Sequence, residues 1–267
     1  MLPFYIQAPS SGRVPILLSV PHCGVEFPDD ITSEYKQSLI QSPDDTDWFV
    51  HQLYDFVSAL GITMIHAKYS RWVIDLNRDP QSKPLYSDGR IITALCPTTT
   101  FFGESIYNDG RNVVDTNEVE RRVEKYYDPY HREIQKHLDD LKNQFGKVLL
   151  WDCHSIRQSV PTIHKEKFPD LILGDADETS ASLKLIETTV QGLKTGAYGF
   201  SHNYPFKGGY ITRSFGKPAE NQHALQLEMT KVNYMDDGEK KYDTVRANKM
   251  REVLKTTLSN LAAALLK

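Results

Sequence analysis

The stretch Lys147-Val-Leu-Leu-Trp-Asp-Cys-His-Ser155 is an apolar run of strand length that ends in reactive side chains. Side chains of an extended strand alternate between its two faces, so Asp152 and His154 are expected on one face and Cys153 on the other. Cys153 and His154 should therefore not bind one metal ion together. The pattern predicts a buried strand with chemistry at its carboxyl end.

A second histidine follows a similar run. The apolar segment 15–20 is typical of a buried strand, and Pro21-His22-Cys23-Gly24 turns the chain directly after it. In open α/β sheets, ligands bind in the crevice outside the strand ends. We therefore expect His22 and His154 to form a metal site or an acid–base site, although a single histidine in such a turn is more often a simple hydrogen-bonding residue.

Strand patterns and amphipathic helices alternate along the rest of the chain, which predicts the α/β class. Apolar residues recur at helical spacing over 119–145, where Pro129 should kink the helix, and over 178–193 and 245–265. Further strands are expected at the segments 62–66, 71–78 and 223–229. The segment 171–174 is a short apolar piece, and 206–213 is typical of a glycine turn that enters a strand. Residues 79–117 lack periodicity and predict a long functional loop or lid.

The composition favours one large domain, residues 1–267, with 40% hydrophobic residues. A net charge of −4 offers no electrostatic case for binding nucleic acid or an anionic membrane. The three cysteines, including Cys96, do not suggest a disulfide framework and fit a reducing compartment. The N-terminal segment lacks the pattern of a secretory signal, and no stretch approaches ~18 consecutive apolar residues. A cytoplasmic protein is expected.

A catalytic zinc ion takes three protein ligands and leaves one position for water. His22 and His154 are candidates for two of them, and Asp47 is the best-placed third because it lies in the first turn of an expected helix. Asp45 and Glu26 compete with it. Acidic residues are also favoured in a first helical turn by the helix dipole alone, so the pattern by itself leaves the choice open.

Basic and acidic side chains beside the strand patterns are further candidates. Arg71, Arg78 and Arg213 could each bind a carboxylate through two hydrogen bonds, although such arginines usually pair with surface acids. Glu228 lies near the end of an alternating apolar strand. Burying a carboxylate there costs free energy unless it is paired with another group or takes part in function. Cys23 beside His22 is better explained as a small buried thiol than as a nucleophile.

Ordered blocks between residues 14 and 235 together resemble the N-formylglutamate amidohydrolase family. The blocks are Pro21-His-Cys-Gly24, Asp45-Thr-Asp-Trp48, Tyr69-Ser-Arg-Trp-Val-Ile-Asp-Leu-Asn-Arg78, Leu95-Cys-Pro-Thr-Thr99, Trp151-Asp-Cys-His-Ser155, Pro205-Phe-Lys-Gly-Gly-Tyr-Ile-Thr-Arg213 and Gln226-Leu-Glu228. The resemblance implies a three-layer α/β/α domain with a central mixed sheet, similar to the zinc carboxypeptidases. It also implies a zinc-dependent hydrolase that converts N-formyl-L-glutamate to formate and L-glutamate in histidine degradation.

The resemblance also implies roles for individual residues. The metal ligands are His22, Asp47 and His154, holding Zn²⁺ or another divalent ion, and Glu228 is the general base. Arg71 and Arg78 serve the oxyanion and a substrate carboxylate, in an order that stays open. The two carboxylates of that substrate would also account for Lys207 and Arg213 in the motif blocks, as substrate-binding residues. Asp152, on the same strand face as His154, could accept a hydrogen bond from it. Should Glu228 not be the base, His131 and His202 are the next candidates.

Two competing hypotheses remain at this point. One is a related zinc amidohydrolase or peptidase that removes a different acyl group from an acidic amino acid. The other is a non-catalytic protein of the same fold that binds an acidic metabolite. The sequence predicts no oligomeric state.

Overall fold

The computed structural model describes residues 2–81 and 94–267. The strands within these ranges are β1 Phe4–Gln7, β2 Ile16–Val20, β3 Thr63–Ala67, β4 Val148–Ile156, β5 Leu171–Gly174, β6 Phe200–His202 and β7 Gln222–Thr230. The α-helices are α1 Gln37–Ile40, α2 Val50–Leu53, α3 Thr116–Arg122, α4 Asp128–Phe145, α5 Leu183–Leu193, α6 Tyr210–Phe215 and α7 Thr244–Leu265. Among the helices described, none is long and apolar enough to cross a membrane.

The strands form one mixed sheet in the order β1-β3-β2-β4-β7-β5-β6. Strands β3, β2, β4 and β7 run parallel, whereas β1 and β5 each pair antiparallel with a neighbour. Strands β4 and β7 pair along their whole length, and this register places His154 opposite Glu228. The carboxyl ends of β2, β4 and β7 therefore meet at one edge of the sheet.

Helices cover both faces of the sheet, which confirms the three-layer α/β/α architecture. On one face, Trp151 and Cys153 belong to a core shared with α2, α5 and α7. On the other face, Leu150 packs in a second core with residues of α4 and α6. The alternation expected along β4 is thus observed, and it directs Cys153 away from the face that carries His154.

The helix predicted over 119–145 is interrupted, as the proline at position 129 led us to expect. A π-helical turn, Val123–Tyr127, separates α3 from α4, and Pro129 lies in the first turn of α4. Proline has no backbone N–H to donate, so a local change of helical geometry at this point has a clear cause. Gly146 ends α4 with a positive φ of 77°, which glycine adopts without steric cost.

Two predicted strands are wrong. Residues 71–78 form successive turns, because polar side chains there capture backbone groups; the N–H of Asn77, for example, donates to Asp75 Oδ1 at 2.9 Å. Residues 206–213 enter α6, where the N–H of Ile211 donates to Asn77 Oδ1 at 2.8 Å. Strand periodicity does not reveal these contacts, since the first is a local turn made by a side chain and the second joins segments that are far apart in sequence.

Two other expectations were right in kind but differ in extent. The helix predicted over 178–193 begins at Leu183, because residues 176–178 all have positive φ values. Of the loop expected over 79–117, residues 82–93 lie outside the described ranges. Residues 94–115 lack regular secondary structure apart from isolated bridges such as Thr99 with Ser105, and helix α3 then begins at Thr116.

Candidate metal centre and active site

The predicted site residues converge where β2, β4 and β7 end. His22 lies in the turn after β2, His154 on β4 and Glu228 on β7. Asp47 lies just before α2 rather than inside a helix, and its backbone N–H donates to the carbonyl oxygen of His22 at 2.9 Å. That hydrogen bond draws the Asp47 segment to the end of β2, so four separate parts of the chain meet.

Three possible ligand atoms converge in this cluster. His22, Asp47 and His154 each offer one, and these atoms lie within 4.8 Å of one another. Asp47 Oδ2 is 3.7 Å from His22 Nδ1 and 3.2 Å from His154 Nδ1. All three residues are buried.

The second ring nitrogen of each histidine contacts a carboxylate. His22 Nε2 is 2.7 Å from Asp75 Oδ1, and His154 Nε2 is 3.0 Å from Asp152 Oδ2. Carboxylates on that nitrogen orient metal-binding histidines and leave the Nδ1 lone pair available. The Nδ1 of His22 is buried without a hydrogen-bond partner. A buried polar atom without a partner is unusual, and a divalent cation bound between the three donors would account for it.

The two competing carboxylates already have other partners. Asp45 accepts hydrogen bonds from the indole N–H of Trp72 at 2.9 Å and from the backbone N–H of Phe101. Glu26 accepts from the Tyr5 hydroxyl at 2.9 Å and is half exposed. Neither belongs to the group of converging ligand atoms, whereas Asp47 does.

Asp75 was not singled out from the sequence, yet it connects the histidine cluster to the arginines. Its Oδ1 lies 2.7 Å from His22 Nε2, and its Oδ2 accepts a hydrogen bond from the Arg71 guanidinium at 2.6 Å. Burial acts to raise the pKa of Asp75, but the charges of Arg71 and Arg78 outweigh burial and hold that pKa well below its ordinary value. Asp75 is therefore ionised, and one carboxylate orients both a histidine and an arginine.

Asn77 is a second residue that the sequence did not reveal as functional. Its Nδ2 donates to Asp152 Oδ2 at 3.3 Å, while its Oδ1 accepts from the N–H of Ile211. Asn77 thus joins the turn after β3 to strand β4 and to helix α6. The only signal in the sequence was its position among alternating polar residues in the segment 71–78.

Glu228 faces the cluster from the neighbouring strand, and only 9% of its surface is exposed. Burial raises its pKa to about 8; the His154 charge opposes this rise and the Asp47 charge adds to it. Burial acts to lower the pKa of His154, but Asp152 and Asp47 outweigh it and raise that pKa well above its ordinary value. A divalent cation between the ligands would lower both pKa values, since positive charge favours the deprotonated forms.

A cavity of about 380 Å³ opens from the cluster and is lined by charged, polar and aromatic side chains. Arg71 and Arg78 contribute to the lining, and the Arg71 guanidinium lies 4.8 Å from the centre of the Phe101 ring. Lys207 and Arg213, which were predicted to bind substrate, are not among the described residues that line the cavity. Lys207 Nζ is instead 2.9 Å from Asp177, and Arg213 Nε donates to the Gly208 carbonyl. The fallback bases His131 and His202 contact the Leu76 carbonyl and Asp175, respectively.

The model of one protein family, N-formylglutamate amidohydrolase, matches residues 14–235. The chain belongs to the N-formylglutamate amidohydrolase family. N-formylglutamate deformylase from Pseudomonas putida is 41% identical over 255 residues, and the enzyme of the same name from Pseudomonas aeruginosa is 39% identical over 258 residues. Each alignment covers 94% of this chain and 94% of the relative.

Solved structures agree with this assignment. The crystal structure of N-formylglutamate amidohydrolase from Ralstonia eutropha JMP134 superposes with a TM-score of 0.79 at 26% identity, covering 99% of this chain and 97% of that one. A gene product from Agrobacterium tumefaciens shares the fold, with a TM-score of 0.72 at 17% identity and coverage of 97% and 96%. As a member of the N-formylglutamate amidohydrolase family, the chain is an enzyme that hydrolyses an amide bond of a small molecule.

Proposed function

We propose that this amidohydrolase is zinc-dependent and cleaves N-formyl-L-glutamate to formate and L-glutamate in histidine degradation. The observation that carries the proposal is the orphaned Nδ1 of His22, which converges with Asp47 and His154 beside the buried carboxyl of Glu228. The substrate is proposed from two relatives that align over 94% of this chain and are both N-formylglutamate deformylases. Zn²⁺ is the proposed ion, and another divalent metal would satisfy the same donors.

His22, Asp47 and His154 would hold the ion, with Asp75 and Asp152 orienting the two histidines. A divalent cation bound there supplies Lewis-acid chemistry, acidifying water and polarising the formyl carbonyl. Glu228 takes the proton of the attacking water on its carboxylate and delivers it to the departing glutamate nitrogen. A residue that accepts a proton and returns it needs a pKa near the working pH, and burial moves Glu228 in that direction.

Arg71 is proposed to stabilise the oxyanion. Its guanidinium is buried between Asp75 and the Phe101 ring and lines the cavity next to His22, so it is held in one orientation. Preorganised donors of this kind stabilise charge that develops during the reaction. Arg78, also on the lining, is proposed to bind a substrate carboxylate.

Lys207 directly precedes Gly208 and Arg213 lies on α6, and both side chains contact protein groups outside the cavity lining, so the proposed substrate contacts rest on Arg78 first. A single catalytic domain in the cytoplasm completes the proposal. All three cysteines are free and buried, as expected for a protein of a reducing compartment.

The test measures metal content and formate release on one preparation. The wild type should carry about one zinc per chain and release formate from N-formyl-L-glutamate. Glu228→Gln keeps the shape of the side chain, so it should retain the zinc while kcat falls by ~10² to 10⁴. Stoichiometric zinc with no formate release, but with turnover of another N-acyl acidic amino acid, would assign the site to a different acyl group. A variant with kcat within about threefold of the wild type would remove Glu228 from the role of base.

A further inference from the structure

Gln226 is a buried polar residue of the cavity to which the proposed mechanism gives no role. It lies on β7 two residues before Glu228, on the same face of the strand, and its side chain is almost wholly buried. It pairs in register with Asp152 on β4, just as Glu228 pairs with His154. Gln226 therefore lies one strand repeat deeper than the proposed base and contributes to the cavity lining.

The orientation of the Gln226 amide follows from one hydrogen bond. The backbone N–H of Gly209 donates to Gln226 Oε1 at 2.7 Å. Because a backbone N–H can only donate, it determines which end of the amide is the oxygen. Gly209 is closely confined, since a Cβ atom at this position would lie 2.3 Å from Asn77 Nδ2. The Gln226 carbonyl is thus held in place, and the Nε2 group is left as the donor.

That donor has no acceptor anywhere in residues 2–81 and 94–267. A second glutamine on the same face of β7 shows the ordinary arrangement, because Gln222 is equally buried and its Nε2 donates to the Phe215 carbonyl at 2.8 Å. Gln226 Nε2 is not one of the fully buried polar atoms that lack a partner in the described residues, so this donor is open to the cavity, where a ligand can accept from it.

We propose that Gln226 Nε2 donates to the side-chain carboxylate of the substrate and is a specificity-determining residue. This inference rests on the proposed function. Two residues of strand span about 7 Å. In extended N-formylglutamate, five bonds separate the formyl carbon from the side-chain carboxylate carbon, or about 6 Å, whereas the α-carboxylate carbon is only about 4 Å away. With the formyl group at the level of Glu228, the side-chain carboxylate reaches the level of Gln226.

The experiment compares two substrates in three proteins. N-formyl-L-glutamate carries the distal carboxylate, and N-formyl-L-methionine has an unbranched side chain of similar length without it. The ratio of their kcat/KM values is measured for the wild type, for Gln226→Met and for the matched control Gln222→Met. Inhibition by the product L-glutamate is measured alongside as a readout of binding.

In Gln226→Met the preference for N-formylglutamate should fall about 10- to 100-fold, mainly through KM, and inhibition by glutamate should weaken in parallel. The control Gln222→Met should keep the wild-type ratio even if it is less stable, because a structural loss affects both substrates equally. A ratio within threefold of the wild type in Gln226→Met overturns the inference.

A second variant, Gln226→Glu, keeps the inference testable if Gln226→Met fails to fold. Gln226→Glu retains an acceptor for the Gly209 N–H but loses the amide donor, so the ratio of kcat/KM for N-formylglutamate over N-formylmethionine should fall in this variant as well. A preserved preference in this variant overturns the inference as well. A wild type that releases no formate from N-formylglutamate instead overturns the proposed function, and this inference with it.

Discussion

The raised pKa of Glu228 predicts a specific pH dependence of stability in the metal-free protein. This pKa is raised from its ordinary value of 4.5 to about 8 in the folded protein, chiefly by burial. The unfolded chain therefore releases this proton at lower pH than the folded one. The stabilising contribution of the protonated carboxyl is complete below pH 4.5 and is lost as pH rises through 8. At about 1.4 kcal/mol per pH unit, the loss from pH 5 to pH 9 amounts to roughly 3 to 4 kcal/mol.

Glu228→Gln removes this titration and leaves the other groups of the cluster in place. The free energy of unfolding of the variant, relative to the wild type, should therefore increase by roughly 3 to 4 kcal/mol between pH 5 and pH 9. Urea unfolding of EDTA-treated protein, followed by tryptophan fluorescence at both pH values, measures the difference. Added zinc should reduce it, because a neighbouring cation lowers the pKa of a carboxyl group. If the difference in unfolding free energy between variant and wild type stays constant within about 1 kcal/mol from pH 5 to pH 9, the reasoning is refuted.

Three further predictions concern the metal centre and the arginines. His22→Ala should lose the bound zinc, whereas Cys153→Ser should retain it because Cys153 packs on the opposite face of β4. Metal analysis of both variants measures the difference, and full zinc occupancy in His22→Ala would contradict the assignment of His22 as a ligand. Asp75→Asn should weaken zinc binding about 10- to 100-fold in competition titrations with a chelator, because His22 loses its orienting carboxylate. Arg71→Ala and Arg78→Ala should each lower kcat/KM for N-formylglutamate by an amount equivalent to roughly 2 to 5 kcal/mol, and unchanged kinetics in both would remove these arginines from the site.

The sequence by itself determined the features that depend on local periodicity. Alternation along β4 placed Asp152 and His154 on one face, and the apolar run before His22 identified a second strand ending in a histidine. The strand patterns put each histidine at the end of a strand, and the parallel pairing of β2 with β4, which those patterns do not specify, brings the two ends to the same edge. The α/β class followed in the same way from the alternation of strands and helices.

Only the tertiary structure decided between residues that are equivalent in pattern. Asp45 and Asp47 lie in one short segment, and the hydrogen bond from the Asp47 N–H to the His22 carbonyl brings the second of them into the cluster. Asp75 and Asn77 acquire their roles from partners far away in sequence. Strand and helix periods describe the backbone of a single segment, whereas loop conformation and buried polar contacts depend on which segments the fold brings together. For this reason the histidines were predictable, and the residues that orient them were not.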